Sequence, residues 1–174
     1  MRTGIFLDTE YYYLCASHQG MIPSYKNFVD RMNTDHPDNV KIAYFVGYWE
    51  ARQKIIHYLM KNGINFANIH YINSCSRPQI IGVNMTIDIV SHIDEYDEFV
   101  FVGGEDYIVP IIDWLSDRGK KVKVYYFDSM ISHALMTTKK CEKSSMSRKF
   151  LMYGRQHDGN NATADRKKEK GAEE

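Results

Sequence analysis

A short apolar run followed by two glycines constrains the fold of this chain more than any other feature. Residues 99–102, Phe-Val-Phe-Val, are all aromatic or β-branched, which is typical of a strand buried on both faces of a parallel sheet. Gly103 and Gly104 follow, and glycines let the backbone turn sharply and approach a ligand closely. A helix is predicted over residues 110–119, because proline is favoured at a first helical position and glycine just past the end. This order of strand, turn and helix indicates an α/β fold.

Acidic residues follow two of the predicted strands. Asp8 ends a short apolar strand over residues 4–7, and Glu105 and Asp106 follow the glycine turn. Open α/β sheets bind their ligands at the carboxyl ends of the strands, where the strand order reverses. We therefore predict that these two strands are neighbours and that Asp8 and Glu105 face one cleft.

The rest of the chain alternates between strand and helix patterns, which predicts a three-layer α/β/α domain with a mostly parallel sheet. The predicted spatial order is 3-2-1-4-5, for five strands over residues 4–7, 41–46, 64–72, 99–102 and 121–127. Lys121 and Lys123 alternate with apolar residues and indicate an edge position for the fifth strand. The helix over residues 83–93 is predicted to turn one apolar face to the core, formed by Val83, Ile87, Val90 and Ile93. A last helix is predicted from Asp128 or Ser129 to about Lys140.

Composition limits the compartment and the class of partner. The formal net charge of the 174 residues is zero, so affinity for nucleic acid must come from a local patch. Cys15, Cys75 and Cys141 have no metal-site spacing, which is typical of a reducing compartment. The chain enters a strand within a few residues and has no apolar run of the roughly 20 residues that a membrane span needs. We expect a cytoplasmic protein with a domain over residues 1–153 and a disordered, charged tail over residues 154–174.

Several segments, in unbroken order, resemble the motifs of one family. Phe6-Leu-Asp-Thr-Glu-Tyr11 resembles the FIDGxN motif of NYN domains, and Gly82-Val-Asn-Met-Thr-Ile-Asp88 resembles their KGVDVxLAxD helix. Val102 to Pro110 resembles SGDSDFxPL, residues 115–124 resemble LRxxGKxVxV, and residues 132–135 fit the last helix. The chain is similar to this family, which includes the LabA-like proteins and belongs to the PIN-like nucleases, over about residues 3–140. The resemblance implies a PIN-like, Rossmannoid form of the predicted α/β fold.

The resemblance also implies a metal-dependent ribonuclease, an endonuclease that holds Mg²⁺ or Mn²⁺ on clustered acids. Hard divalent cations prefer oxygen ligands, and such an ion activates water and neutralises charge that develops on the phosphate. The implied catalytic residues are Asp8, Asp88, Glu105 and Asp106. Of these, Asp8, Glu105 and Asp106 are the implied metal ligands.

RNA, single-stranded or structured, is the implied partner. A basic excess between Lys139 and Arg155, interrupted only by Glu142, could contact phosphates. A solvated helix and linker face is the alternative explanation of that run. We predict substrate contacts by residues of the motifs and of this basic segment, namely Thr9, Tyr11, Asn84, Gly103, Gly104, Lys139 and Lys140.

The chain departs from the family motifs at several of these positions. Thr9 replaces a glycine, Tyr11 an asparagine and Asn84 the first aspartate of the helix motif, whereas Glu105 and Tyr107 take the two aspartate positions of SGDSDF. Asp106, one position away, could substitute for the second aspartate. These departures leave open a catalytically weakened NYN domain that binds RNA or a protein partner, and homo-oligomers are compatible with the sequence.

Each acid also has a structural explanation. Asp8 could cap a helix, Glu105 and Asp106 could be loop acids at a helix start, and Asp88 could lie on the surface. A haloacid-dehalogenase-like phosphatase is a third hypothesis, because Asp8-Thr9-Glu10 resembles a DxD strand end. The later serine or threonine and lysine that this chemistry requires have no convincing counterpart in the sequence.

Overall fold

The structure is a computed structural model that describes residues 1–46, 49–65, 68–72 and 79–153. Its strands are β1 Thr3–Asp8, β2 Met21–Pro23, β3 Asn39–Val46, β4 Ile69–Ile72, β5 Glu98–Val102, β6 Lys121–Tyr126, β7 Glu142–Ser145 and β8 Leu151–Tyr153. Its α-helices are α1 Thr9–His18, α2 Tyr25–Asp35, α3 Trp49–Lys61, α4 Gln79–Ser91, α5 Val109–Ser116 and α6 His133–Thr137. Cys75 and the predicted tail, residues 154–174, lie outside the described residues.

The central sheet has the order β4-β3-β1-β5-β6-β7, and each neighbouring pair is parallel. The predicted α/β class and the order of its five strands are confirmed. Five strands was too few, because β7 pairs with β6, which is therefore not at an edge. The Lys123 side chain, interpreted as an edge lysine, instead contacts Glu142 of β7 with 2.7 Å between Nζ and Oε1.

Two apolar layers cover the sheet. Along β1, Ile5 and Leu7 pack on one side with α1, α2 and α3, whereas Phe6 packs on the other with α4, α5 and α6. This alternation follows from the twofold period of a strand, which sends successive side chains to opposite faces. β1 is buried throughout, so its last residue, Asp8, is carried into the interior by the strand.

Helix α4 exposes the face that its sequence pattern assigned to the core. Its buried residues are Ile81, Met85 and Ile89, whereas Val83, Ile87 and Val90 are exposed and Ile93, beyond the helix, is partly buried. The prediction was wrong because α4 carries apolar residues nearly all round, so periodicity alone does not choose the buried side.

The predicted last helix is shorter than expected. A single turn at Asp128–Met130 precedes α6, and the Ser132 side chain caps α6 by accepting from the Leu135 amide at 3.2 Å. Thr138 then adopts an extended ψ of 140°, and the chain continues into β7 rather than reaching Lys140 as helix.

The two remaining strands close the domain beside α2. β2 pairs antiparallel with β8 in a separate ribbon, and Tyr12 joins this region by donating its hydroxyl to the Phe150 carbonyl at 2.6 Å. The thiols of Cys15 and Cys141 are free. Among the described residues, no helix combines the length and apolar character that crossing a membrane would require.

Candidate functional site

A row of polar side chains crosses three neighbouring strands beneath α4. In the register of the sheet, Asp8 of β1 pairs with Tyr44 of β3, and Tyr44 pairs with His70 of β4. Residues paired in this way project to the same face of a sheet. Asp88 of α4 lies above the row, accepting from the Tyr44 hydroxyl at 2.8 Å and contacting His70 Nδ1 at 3.1 Å.

Both oxygens of the Asp8 carboxylate are hydrogen-bonded. Oδ1 accepts from the backbone amides of Glu10 and Tyr11 at 3.0 and 2.9 Å, which makes Asp8 the N-cap of α1. Oδ2 accepts from the Tyr107 hydroxyl. The side chain is held from two sides in a site where Asp8 is only 2% exposed.

Burial has the largest effect on the pKa values of Asp8 and Tyr107. It raises the pKa of Asp8 from 3.8 to about 6, although the hydrogen bonds from Tyr107 and the α1 backbone act in the opposite direction. Burial, and then the charge of Asp8, raise the pKa of Tyr107 above its usual value. Tyr107 therefore stays protonated and donates to Asp8 at physiological pH.

Gly82 of α4 makes room for the Tyr107 ring. A Cβ atom at residue 82 would lie 2.4 Å from Cδ2 of Tyr107, closer than atoms can approach. The glycine that begins the second family-like motif and the tyrosine in the third motif thus fit one another.

The other two predicted metal ligands lie at the same end of the sheet as Asp8. Glu105 is half-buried at the start of a 3₁₀ turn, Asp106–Ile108, and Asp106 is exposed. Glu105 is close enough to Tyr107 for its charge to raise the tyrosine pKa. The prediction that β1 and β5 are neighbours is confirmed, which brings Asp8 and Glu105 to one region.

These residues do not fit a divalent cation held by carboxylates. Mg²⁺ and Mn²⁺ bind carboxylate oxygens, and the Asp8 carboxylate already accepts three hydrogen bonds, two at Oδ1 and one at Oδ2, of the roughly four that its lone pairs can accept. Within the described ranges, no group of three His, Cys, Asp or Glu side chains is placed to hold a metal ion. Asp88, a predicted catalytic acid, contacts Tyr44 and His70 instead.

The predicted substrate contacts near Asp8 have structural partners. The Thr9 hydroxyl donates to the Tyr44 carbonyl at 2.6 Å, and the buried Tyr11 hydroxyl accepts from the Phe127 amide at 2.9 Å. The Asn84 side-chain amide donates to the Ile80 carbonyl at 2.9 Å. Thr9 thereby connects α1 to β3, and Tyr11 connects α1 to the residue that follows β6.

The glycine turn is a point of close approach between segments. A Cβ atom at residue 104 would lie 2.1 Å from the Met130 carbonyl oxygen and 2.5 Å from the Tyr11 hydroxyl. The Gly104 carbonyl accepts from the Ser132 amide at 2.7 Å. At Gly103, in contrast, an added Cβ would make only an ordinary van der Waals contact, with Ile108 Cδ1 at 4.0 Å.

Lys139 and Lys140 are not brought together with Asp8. They line a surface depression with Glu98 and Lys121, the first residues of β5 and β6, so they lie at the amino end of the sheet. Lys140 also forms an ion pair with Asp117 at 2.7 Å.

An aromatic groove lies on the other face of the domain. It has a volume of about 410 Å³ and is almost entirely apolar. Tyr13 of α1, the helix capped by Asp8, is 44% exposed there. The groove is lined by Tyr13, Ile22, Pro23, Tyr25, Lys54, Ile55, Tyr58 and Met152.

Tyr44 and His70 are the site residues that sequence reasoning missed. Neither belongs to a recognisable motif, and the scattered histidines have no metal-site spacing. The one available signal was position, since Tyr44 lies three residues into the predicted second strand and so near the level of Asp8.

Comparisons with known proteins agree with this fold. The family model of the NYN domain matches residues 2–143. A crystal structure of a protein of unknown function, VPA0982 from Vibrio parahaemolyticus RIMD 2210633, shares the fold with a TM-score of 0.69 at 18% identity, covering 87% of this chain and 96% of that one. No curated protein matches the chain significantly. Because the family model spans most of the sequence, this chain belongs to the NYN domain family, within the PIN-like nuclease superfamily.

Proposed function

We propose that this chain is a catalytically weakened NYN domain that binds single-stranded RNA without cutting it. One observation is the main support for the proposed loss of RNA cleavage. The Tyr107 hydroxyl donates to Asp8 Oδ2, so a neutral donor stands where the family motif has a second acid for the cation.

Membership of the NYN family implies RNA as the ligand and, for its active members, a divalent metal ion. When bound, such an ion supplies an activated water and neutralises charge on the phosphate. In this chain the partly buried phenol of Tyr107, kept protonated by its raised pKa, donates a neutral hydrogen bond to Asp8 instead. A neutral donor compensates part of the burial of Asp8 but attracts no phosphate and no second ligand.

The aromatic groove supports RNA as the retained ligand. Unpaired bases stack on aromatic side chains, and this contact tolerates any base because each has a π-face. Tyr13 and Tyr58 are both exposed at the groove, and Lys54 supplies a cation for the phosphate backbone. The site and the groove share α1, since Asp8 caps this helix and Tyr13 lies about 7 Å further along its axis.

Cleavage and binding are tested together with labelled single-stranded RNA, in Mn²⁺ and in EDTA. We expect anisotropy titrations to give the same affinity in both conditions and gels to show intact RNA. Asp8→Asn should bind RNA as the wild type does. Manganese-dependent cleavage by the wild type that Asp8→Asn abolishes would overturn the proposal in favour of an active metal-dependent ribonuclease.

The groove is tested with a matched pair of variants. Tyr13→Ala removes the ring and should weaken RNA binding by roughly tenfold, because base stacking on an aromatic side chain contributes about 1–3 kcal/mol. Tyr13→Phe keeps the ring and should keep the affinity. If the wild type binds no RNA, or if both variants bind as tightly as it does, the RNA-binding groove is ruled out.

A further inference from the structure

Helix α4 has apolar residues on two opposite faces, and the domain buries one of them. Ile81, Met85 and Ile89 lie in the core, whereas Val83, Ile87 and Val90 remain 57%, 58% and 47% exposed. The exposed residues are spaced by four and three positions, so they form a continuous stripe along one side of the helix. We call these three residues the outer stripe.

The outer stripe carries no charge. Asp88 is the one charged residue among the 13 residues of α4, and its carboxylate contacts Tyr44 and His70 rather than the outer stripe. The surface helix α2 differs, since it forms ion pairs between residues four apart, such as Lys26 with Asp30. A helix that is hydrophobic nearly all round belongs in a buried environment, and the described part of the chain buries only one side of it.

The same face combines protruding side chains with a hollow. Gly82, Val83, Thr86, Ile87 and Tyr107 line a depression of about 340 Å³, mostly apolar. The depression lies beside the stripe, where the Tyr107 ring packs against Gly82. A twofold interface requires one patch that is complementary to itself, and a face with both protrusions and a hollow meets this requirement.

From this geometry we propose that the outer stripe of α4 is the contact between two copies of this chain, packed as an antiparallel helix pair across a twofold axis near Ile87. This arrangement also complements charge. The acids Asp94 and Glu95 follow the end of α4, and antiparallel pairing brings them towards the positive amino end of the partner helix.

The area predicts a weak, reversible dimer. A helix of 13 residues is about 20 Å long and about 10 Å wide. The area that one side of this helix can bury is therefore well below the roughly 800 Å² per partner of a standard interface. We therefore expect a concentration-dependent equilibrium between monomer and dimer. This inference does not depend on RNA binding, although the hollow includes the ring of Tyr107, so the dimer would cover the tyrosine that contacts Asp8.

Sedimentation velocity over a concentration series of the full chain measures the dimer directly. Wild type should shift from monomer to dimer as concentration rises through the micromolar range. Ile87→Glu and Ile87→Lys should each weaken the dimer by more than about a hundredfold, because like charges then meet at the axis. An equimolar mixture of the two variants should recover dimers, since opposite charges meet instead, a result that only contact between two copies gives.

Controls separate the interface from general effects on folding. Met136→Glu changes an apolar residue on α6 that is 52% exposed, outside the outer stripe, and should leave the dimer unchanged. The far-UV spectrum and urea midpoint of each Ile87 variant should match the wild type, because this side chain is mostly exposed. A monomeric wild type at high micromolar concentration, or a dimer that survives both Ile87 substitutions, would overturn the proposal.

Discussion

Replacing Asp8 by asparagine should change how the stability of the protein depends on pH. Asp8 is buried and its pKa in the folded state is raised from 3.8 to about 6. Asparagine has nearly the same shape, can accept from the Glu10 and Tyr11 amides as an N-cap, and has no titration. Any part of the pH dependence that disappears in Asp8→Asn therefore belongs to the carboxyl group.

The sign of this pH dependence follows from proton binding to Asp8. Between about pH 4 and pH 6 the folded protein keeps a proton on Asp8 that the unfolded chain releases, so the stability that this proton contributes falls as pH rises. The contribution is fully present below the unfolded pKa and is lost above about pH 6. A shift of about 2 pKa units, at about 1.4 kcal/mol per unit, corresponds to about 3 kcal/mol.

Urea unfolding measures this pH dependence for wild type and Asp8→Asn. The series of pH values runs from 3.5 to 8, roughly spanning the unfolded and folded pKa values of Asp8. The free energy of unfolding of Asp8→Asn, relative to wild type, should rise by about 3 kcal/mol between the acidic end and neutral pH. Other carboxylates cancel in the difference, since both proteins contain them. A difference that stays flat across the series, or that rises towards acidic pH, would refute the reasoning about burial.

Two further predictions concern the backbone at the site and the end of the domain. Gly104→Ala should destabilise the protein by roughly 3 kcal/mol or more in the same urea assay, because the added Cβ meets the Met130 carbonyl oxygen. Gly103→Ala should be tolerated, because the added Cβ makes only an ordinary contact there. Deleting residues 154–174 should leave the melting temperature nearly unchanged, because that segment is charged and has no apolar periodicity; a large drop in differential scanning calorimetry would show that it packs on the domain.

The order of the sheet was predictable because its central strands are apolar without interruption. Strands β1 and β5 carry this pattern and end in acidic motifs, and the rule that ligands bind where strand order reverses then places them side by side. Strand β7 was not predictable in this way. Its sequence, Glu-Lys-Ser-Ser, has no apolar alternation, and its pairing with β6 depends on backbone hydrogen bonds that any residue can form.

The site was less predictable than the fold, since its contacts join side chains from distant elements. Asp8 and Tyr107 lie 99 residues apart and Tyr44 and Asp88 lie 44 apart, and no local pattern encodes either pair. The motif alignment located Tyr107 at an acid position, but whether the tyrosine points to Asp8 or to solvent depends on the space that Gly82 leaves. Propensity rules describe one element at a time. Which side of α4 faces the sheet depends instead on the contact of Gly82 with Tyr107, which joins two elements.

The pairing of Tyr107 with Asp8 also explains how the fold tolerates its buried acid. A cluster of carboxylates without a cation repels itself, and one member then takes up a proton. Here the charges are dispersed, because Asp88 is bound by Tyr44 and His70, Asp106 is exposed, and Asp8 receives three hydrogen bonds. The protein compensates the burial of Asp8 only in part, since its pKa remains raised to about 6. The hydrogen bond from Tyr107 that compensates part of the burial of Asp8 also takes up one of the two Oδ2 lone pairs that a cation could use.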